Sequence, residues 1–128
     1  PELDAAHALG ALLVKVALVD DAYLFEEVEE IDHILAEAYG LKPLAAARMR
    51  AECERLAFET PGIEEMARRI REGVDYEHRR AAAEALWAVA LSDGLSSTRE
   101  TELVELIEQQ LGLESDDSEA ARAAAVIP

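Results

Sequence analysis

The 128-residue chain contains a single cysteine, Cys53, so neither a disulfide framework nor a thiolate zinc site can be built from it. Aromatic residues make up only 5% of the chain, against 51% hydrophobic residues overall, so the core must be aliphatic. Basic residues are scarce: 12 Lys and Arg stand against 28 Asp and Glu, a net charge of −16. Such a charge repels phosphates, which argues against a nucleic-acid or anionic-lipid surface and favours cations or basic partners. No apolar run approaches the roughly 18 residues of a membrane span. The first residues hold no basic start followed by an apolar block, so no secretory leader is expected and a cytoplasmic location is. There is no Gly-rich phosphate loop, no G-x-S-x-G and no H-E-x-x-H, and no D-x-D-x-D-G series surrounds Asp93-Gly94. The carboxylates lack any other catalytic element beside them, and no enzymatic activity is expected.

Glycine and proline are few and fall at boundaries, and helical spacing fills the stretches between them. Ile63, Met66, Ala67 and Ile70 follow the i, i+3, i+4, i+7 pattern of one helix face. Met49, Cys53, Leu56 and Ala57 make a second stripe, Ala82, Leu86, Val89 and Ala90 a third, and Leu9, Leu12, Leu13 and Val16 a fourth. Cys53 therefore reads as a buried, inert core residue, and Trp87 and Tyr76 as core or core-edge residues. No alternating β-branched run competes with these stripes, so no strand is expected. Asp4 predicts the cap of a first helix running to about Asp20. A second runs from near Leu24 to Gly40, and a third from Pro43 to near Glu59. Thr60-Pro61 reads as a cap followed by proline at the first helical position, opening a fourth helix that Gly73 ends. Asp75 caps a fifth. Ser97-x-x-Glu100 is a capping box opening a sixth, which Gly112 ends. Ser115 or Asp116 starts a short last helix. The expected fold is an all-α single-domain bundle over residues 1–128, with six main helices and a short C-terminal one.

An internal repeat lies at an offset of 73 residues. Aligning Leu13–Ala38 on Leu86–Leu111 without gaps gives eight identities in 26 positions, among them Asp20/Asp93, Glu27/Glu100 and Ile34/Ile107. Each copy, about 13–41 and 86–113, reads as helix, acidic turn, helix and a terminal glycine. Two such hairpins with a helix pair between them predict a pseudo-symmetric bundle. Charge follows the same division: residues 1–41 carry one base against ten acids, 42–80 nine against eight, and 81–128 two against ten.

Each copy places an Asp near the end of one helix and a Glu seven residues on, in the first turn of the next. Asp20, Glu27, Asp93 and Glu100 are thus candidate metal ligands. Clustered carboxylates on turns supply the hard oxygen donors that Ca²⁺ or Mg²⁺ requires. Capping alone accounts for Glu100. Glu27 lacks that explanation, because Leu24 stands at the cap position and its side chain cannot accept a hydrogen bond. Asp20 and Asp93 sit where the helix dipole disfavours negative charge, and Lys15 is the only base within helical reach of Asp20-Asp21. The acidic run Glu26, Glu27, Glu29, Glu30, Asp32 reads either as a solvated helix face or as a contact for a basic protein partner. The cluster Arg68, Arg69, Arg71, Arg79 and Arg80 reads as local pairing with Glu64, Glu65, Glu72 and Glu77. His7, His33 and His78 fall on three different helices, which excludes a local His-x3-His pair.

Several segments together resemble a known family. Val16-Ala17-Leu18-Val19-Asp20-Asp21, followed by Glu26-Glu27 and Ile31, is similar to the V-A-x-A-D-G … E-E … I signature of the tellurite-resistance TerB family. Tyr76-Glu77-x-Arg79, then Leu86-Trp87-x-Val89-Ala90-x-x-Asp93-Gly94 and Glu100, resembles the family's second half. Gly40-Leu41 and Gly112-Leu113 match its helix-ending G-L pairs. The resemblance spans about residues 5–122. It implies a small all-helical domain whose two acidic turns chelate metal, working in tellurite and chemical stress responses, often at the inner membrane face. It also implies an alternative, since related domains serve as interaction modules in larger proteins. Carried onto this chain, the implied ligands are Asp20, Glu27, Asp93 and Glu100. Asp21 stands where the family usually has Gly. Leu24 and Ser97 stand where it often has a further acid, so each copy lacks one candidate ligand.

Overall fold

Seven helices account for nearly all of the backbone in the computed structural model, which describes residues 4–19, 23–92 and 97–126. They are α1 (Ala5–Leu18), α2 (Phe25–Tyr39), α3 (Pro43–Glu59), α4 (Glu64–Gly73), α5 (Tyr76–Ala90), α6 (Thr98–Gln110) and α7 (Ser115–Val126). Among the described residues there is no strand, and no helix is long and apolar enough to cross a membrane.

The helix limits follow local chemistry. Asp4 caps α1 by accepting the backbone N–H of His7 at 2.7 Å, and Asp75 caps α5 through His78 in the same way at 2.9 Å. Gly40 and Gly112 leave α2 and α6 in the left-handed conformation, with φ of 62° and 74°. The start of α4 differs from the sequence reading. Thr60 ends α3, its N–H bonding to the Leu56 carbonyl, and Gly62 adopts φ 71°. A left-handed residue cannot belong to a right-handed helix, so Pro61-Gly62 forms a turn and α4 begins at Glu64.

The central element is α1. Ala8, Gly10, Ala11, Leu12, Leu13, Val14, Val16 and Ala17 are all buried, which wraps apolar contact around the whole helix rather than along one stripe. It packs on α3, α4 and α5, and touches α2 and α6. The stripes expected for α3, α4 and α5 do face inward, with Met49 and Leu56 nearest the edge of that core. Gly10 of α1 faces Cys53 of α3: a Cβ built on Gly10 would lie 2.2 Å from the Cys53 sulfur. The missing side chain at Gly10 leaves the room that the Cys53 sulfur occupies.

The last helix is neither short nor loosely held. It spans 12 residues, longer than α4, and runs along α5. The Tyr76 hydroxyl donates to Asp117 and accepts the Glu114 N–H at 3.0 Å. The Arg122 guanidinium stacks over the Trp87 ring at 4.7 Å. Trp87 in turn donates its indole N–H to Glu108 at 3.0 Å, a buried bond joining α5 to α6.

Candidate functional site

The two aligned stretches of sequence fall on the helix pairs α1–α2 and α5–α6. Glu27 and Glu100 occupy the same place in the two copies, the third position of the second helix. Both side chains are sunk into the protein, each residue only 2% exposed. In α6 the capping box is complete. Ser97 Oγ accepts the Glu100 N–H at 3.0 Å, and Glu100 Oε1 accepts the Ser97 N–H at 3.2 Å. In α2 only the reciprocal half can form, because Leu24 has no side-chain acceptor. There Glu27 Oε1 accepts the Leu24 N–H at 2.9 Å. Glu27 is therefore a helix-start ligand as well, contrary to the sequence reading that left it without a capping role. Asp20, Asp21 and Asp93, the other members expected at these turns, lie outside the described residues. Among the described residues, no group of three or more His, Cys, Asp or Glu side chains is placed to hold a metal ion.

The neighbouring acids divide by environment. Glu26, Glu29 and Glu102 are exposed. Glu26, Glu29 and Glu30 line a shallow hollow of about 560 Å³ with His33 of α2, Leu91 and Ser92 just beyond α5, and Ala125 of α7. Asp32 belongs elsewhere: its Oδ1 accepts from Arg50 Nε at 2.5 Å. Arg50 also donates to Glu54 at 3.0 Å, and Glu54 accepts the Tyr23 hydroxyl at 2.6 Å. This α2–α3 network keeps the Arg50 guanidinium charged, its two carboxylates outweighing the desolvation that opposes it. Burial, with Glu54 beside it, pushes the Tyr23 phenol up. Lys15 is half-buried and feels the charge of Glu64 on α4. Burial lowers its pKa, and Glu64 offsets part of that.

The arginine cluster pairs locally in part. Arg68 bonds Glu65 and Glu72, Arg69 bonds Glu65, and Arg80 bonds Glu77. Arg79 instead donates to the Leu111 carbonyl at 2.7 Å and stacks on Tyr76, tying α5 to the end of α6. The Arg71 guanidinium lies against Gly112. Cys53 is buried, its thiol pushed up to about 12 chiefly by desolvation, which removes the thiolate that reactivity needs.

Two features escaped the sequence reading. Glu108 is 4% exposed, and burial raises its carboxyl pKa despite the Trp87 hydrogen bond. The signal was present: Glu108 stands four residues after Val104, on the same face of α6, and aligns with buried Leu35 of the first copy. His7 lies between two carboxylates, Nδ1 at 2.9 Å from Asp4 and Nε2 at 3.1 Å from Glu52 of α3. Burial works to lower its pKa, but the two carboxylates prevail and hold it above the ordinary value. A contact across 45 residues leaves no local trace in a sequence.

An all-helical acidic domain with a buried glutamate in the first turn of α2 and of α6 defines the class of protein. A family model described as Tellurite resistance protein TerB matches residues 6–123, and the chain belongs to that family. No curated protein and no solved structure matches it.

Proposed function

We propose that this chain is a non-enzymatic TerB-like domain that binds divalent cations, Ca²⁺ or Mg²⁺, at its acidic inter-helix turns. The supporting observation is the pre-organisation of Glu27 and Glu100. Each carboxylate is buried and fixed by a cap hydrogen bond in the turn of helix that directly follows an acidic segment. A cation at either turn would meet a ligand whose side-chain entropy is already lost, which favours binding. Asp20 and Asp93 would complete the donor sets. The setting is a tellurite or chemical stress response in the cytoplasm, in association with an inner-membrane complex. Nucleic acid is not a partner, given the net charge of −16.

The test is thermal unfolding with Ca²⁺ or Mg²⁺. A ligand that binds only the folded state at a hundredfold excess over Kd stabilises by about 2.7 kcal/mol. The parent protein should gain stability, and Asp20→Asn with Asp93→Asn should lose that gain. An unchanged melting temperature at millimolar cation would sink this reading.

A second reading is a metal-independent interaction module, and a specific observation favours it. Phe25 is 69% exposed at the start of α2, next to exposed Glu26 and one turn from exposed Glu29. An apolar anchor beside carboxylates suits a basic protein partner.

A further inference from the structure

The amino-terminal half of α1, the end of α2, the end of α4 and the first half of α5 enclose an apolar cleft of about 640 Å³. Leu9, Ile34, Ile70 and Val74 form its walls. Its depth comes from alanine: Ala6, Ala38, Ala81, Ala82 and Ala85 stand where larger side chains would close it. The cleft is half-enclosed, and its volume falls within the roughly 300–1,000 Å³ of sites that hold one small molecule. Neither Glu27 nor Glu100 lines it.

The polar residues that line it are Tyr39 at the end of α2, and Asp75 and His78 at the start of α5. Asp75 Oδ1 accepts the His78 backbone N–H at 2.9 Å and faces the ring Nδ1 at 2.7 Å. The backbone hydrogen bond and then the ring hold the carboxyl below the usual carboxylate range, so it carries its charge at neutral pH. As the cap of α5, Asp75 already occupies that helix's positive pole, so the pole is not open to an anion. Asp75 thus sets a negative charge beside apolar walls, on a chain whose net charge of −16 concentrates cations around it.

We propose that this cleft binds a small amphiphilic cation, its hydrocarbon body among the alanines and its ammonium group at Asp75. An anion of the same shape would meet the Asp75 carboxylate. A neutral alcohol would bury the same body without the ion pair. The half-enclosed form suits a single molecule better than the flat face of a protein.

The test uses three probes of equal chain length, octylammonium, 1-octanol and octanoate, titrated into the full chain and followed by NMR. Expected are shifts at Leu9, Ile34, Val74 and Ala82, with affinity falling in the order ammonium, alcohol, carboxylate. Asp75→Asn retains a good helix cap and should weaken octylammonium about two- to fivefold, the range for an exposed ion pair, while leaving octanol unchanged. Ala81→Phe, at an exposed position of the cleft wall, should abolish the shifts. Ala85→Leu blocks the same wall and serves if Ala81→Phe does not fold. The proposal is overturned if octanoate binds as well as octylammonium or if no probe binds. Binding that survives the blocking substitutions, or that maps to the acidic face of α2, overturns it equally.

Discussion

At the scale of single residues, the chain keeps charged groups in places that exclude water, and each has a titration consequence. Glu108 has a raised carboxyl pKa, so its contribution is fully present below the unfolded value near 4.5 and is lost as pH rises through the folded value. At neutral pH its charge is a burden. Glu108→Gln retains an acceptor for the Trp87 N–H and removes the charge. It should stabilise the protein at pH 7, with the gain shrinking toward pH 4. Glu108→Leu strands the buried indole N–H and should cost about 1–3 kcal/mol. Denaturant unfolding of both variants at the two pH values checks this. His7 has the same sign for a different reason, because Asp4 and Glu52 favour its protonated form. Its contribution is present below about 6.5, the unfolded value, and is lost as pH rises through the folded one. NMR titration should place His7 above 6.5, and Glu52→Gln should bring it down.

Glu27 and Ser97 separate capping from coordination. Ser97→Ala removes a cap and should cost about 0.5–2 kcal/mol whether or not a cation is present. Glu27→Gln retains an oxygen for the Leu24 N–H and removes the charge. Its cost in chelator, which includes the loss of the helix-dipole interaction, sets the baseline, and with saturating Ca²⁺ or Mg²⁺ that cost should grow. Unfolding curves in cation and in chelator decide it. Equal Glu27→Gln penalties in the two buffers would leave the carboxylate as a helix-start residue and give the lead to the interaction-module reading.

At the scale of elements, two helical glycines predict opposite outcomes for one substitution. Gly73 closes α4, without a positive φ, and a Cβ there would meet nothing within 4 Å. Gly73→Ala should therefore stabilise by about 0.4–1 kcal/mol through the unfolded chain. Gly10→Ala drives a methyl group to 2.2 Å from the Cys53 sulfur, so the buried Cys53 side chain or the helices themselves must shift. Overpacking of this kind costs about 1–3 kcal/mol. Cys53→Ala removes the sulfur and leaves the Cys53 Cβ, 3.2 Å away, as the nearest contact, so the double variant should be more stable than Gly10→Ala alone. Calorimetric melting of the four proteins completes the cycle. These glycines also show what a sequence conveys. Caps and left-handed exits are local chemistry, so Asp4, Asp75, Ser97, Gly40 and Gly112 were readable in advance. The Gly10–Cys53 contact joins residues far apart in the chain and was not. Thr60-Pro61 misled because Gly62 took the left-handed turn that delays α4. α1 showed an apolar stripe in sequence, but its other faces carry Ala8, Ala11 and Val14, small or aliphatic residues whose burial depends on what surrounds them. Of the four candidate ligands, Glu27 and Glu100 were placed correctly in the first turn of the second helices. Their burial was not legible, since it depends on the rest of the bundle.

At the scale of the whole molecule, the excess of acids works against the compact state. Sixteen uncompensated negative charges on 128 residues repel one another, and folding brings them closer together. The local pairs of Arg68, Arg69 and Arg80 relieve little of this, because exposed ion pairs are worth about 0–1 kcal/mol. Monovalent salt shortens the Debye length to about 10 Å at 0.1 M and to about 3 Å at 1 M, and so screens that repulsion. The melting temperature should therefore rise with NaCl, which is the reverse of a fold held by surface salt bridges. The same effect could mimic metal binding, since Mg²⁺ and Ca²⁺ also screen. At matched ionic strength the two separate. Screening raises the parent and the Asp20→Asn, Asp93→Asn variant together, and monovalent salt does the same work as divalent. Coordination adds a saturable increment from the divalent ion that the variant lacks. If divalent and monovalent salts give the same curve in the parent, the stabilisation is screening alone, and the acidic turns hold no specific cation.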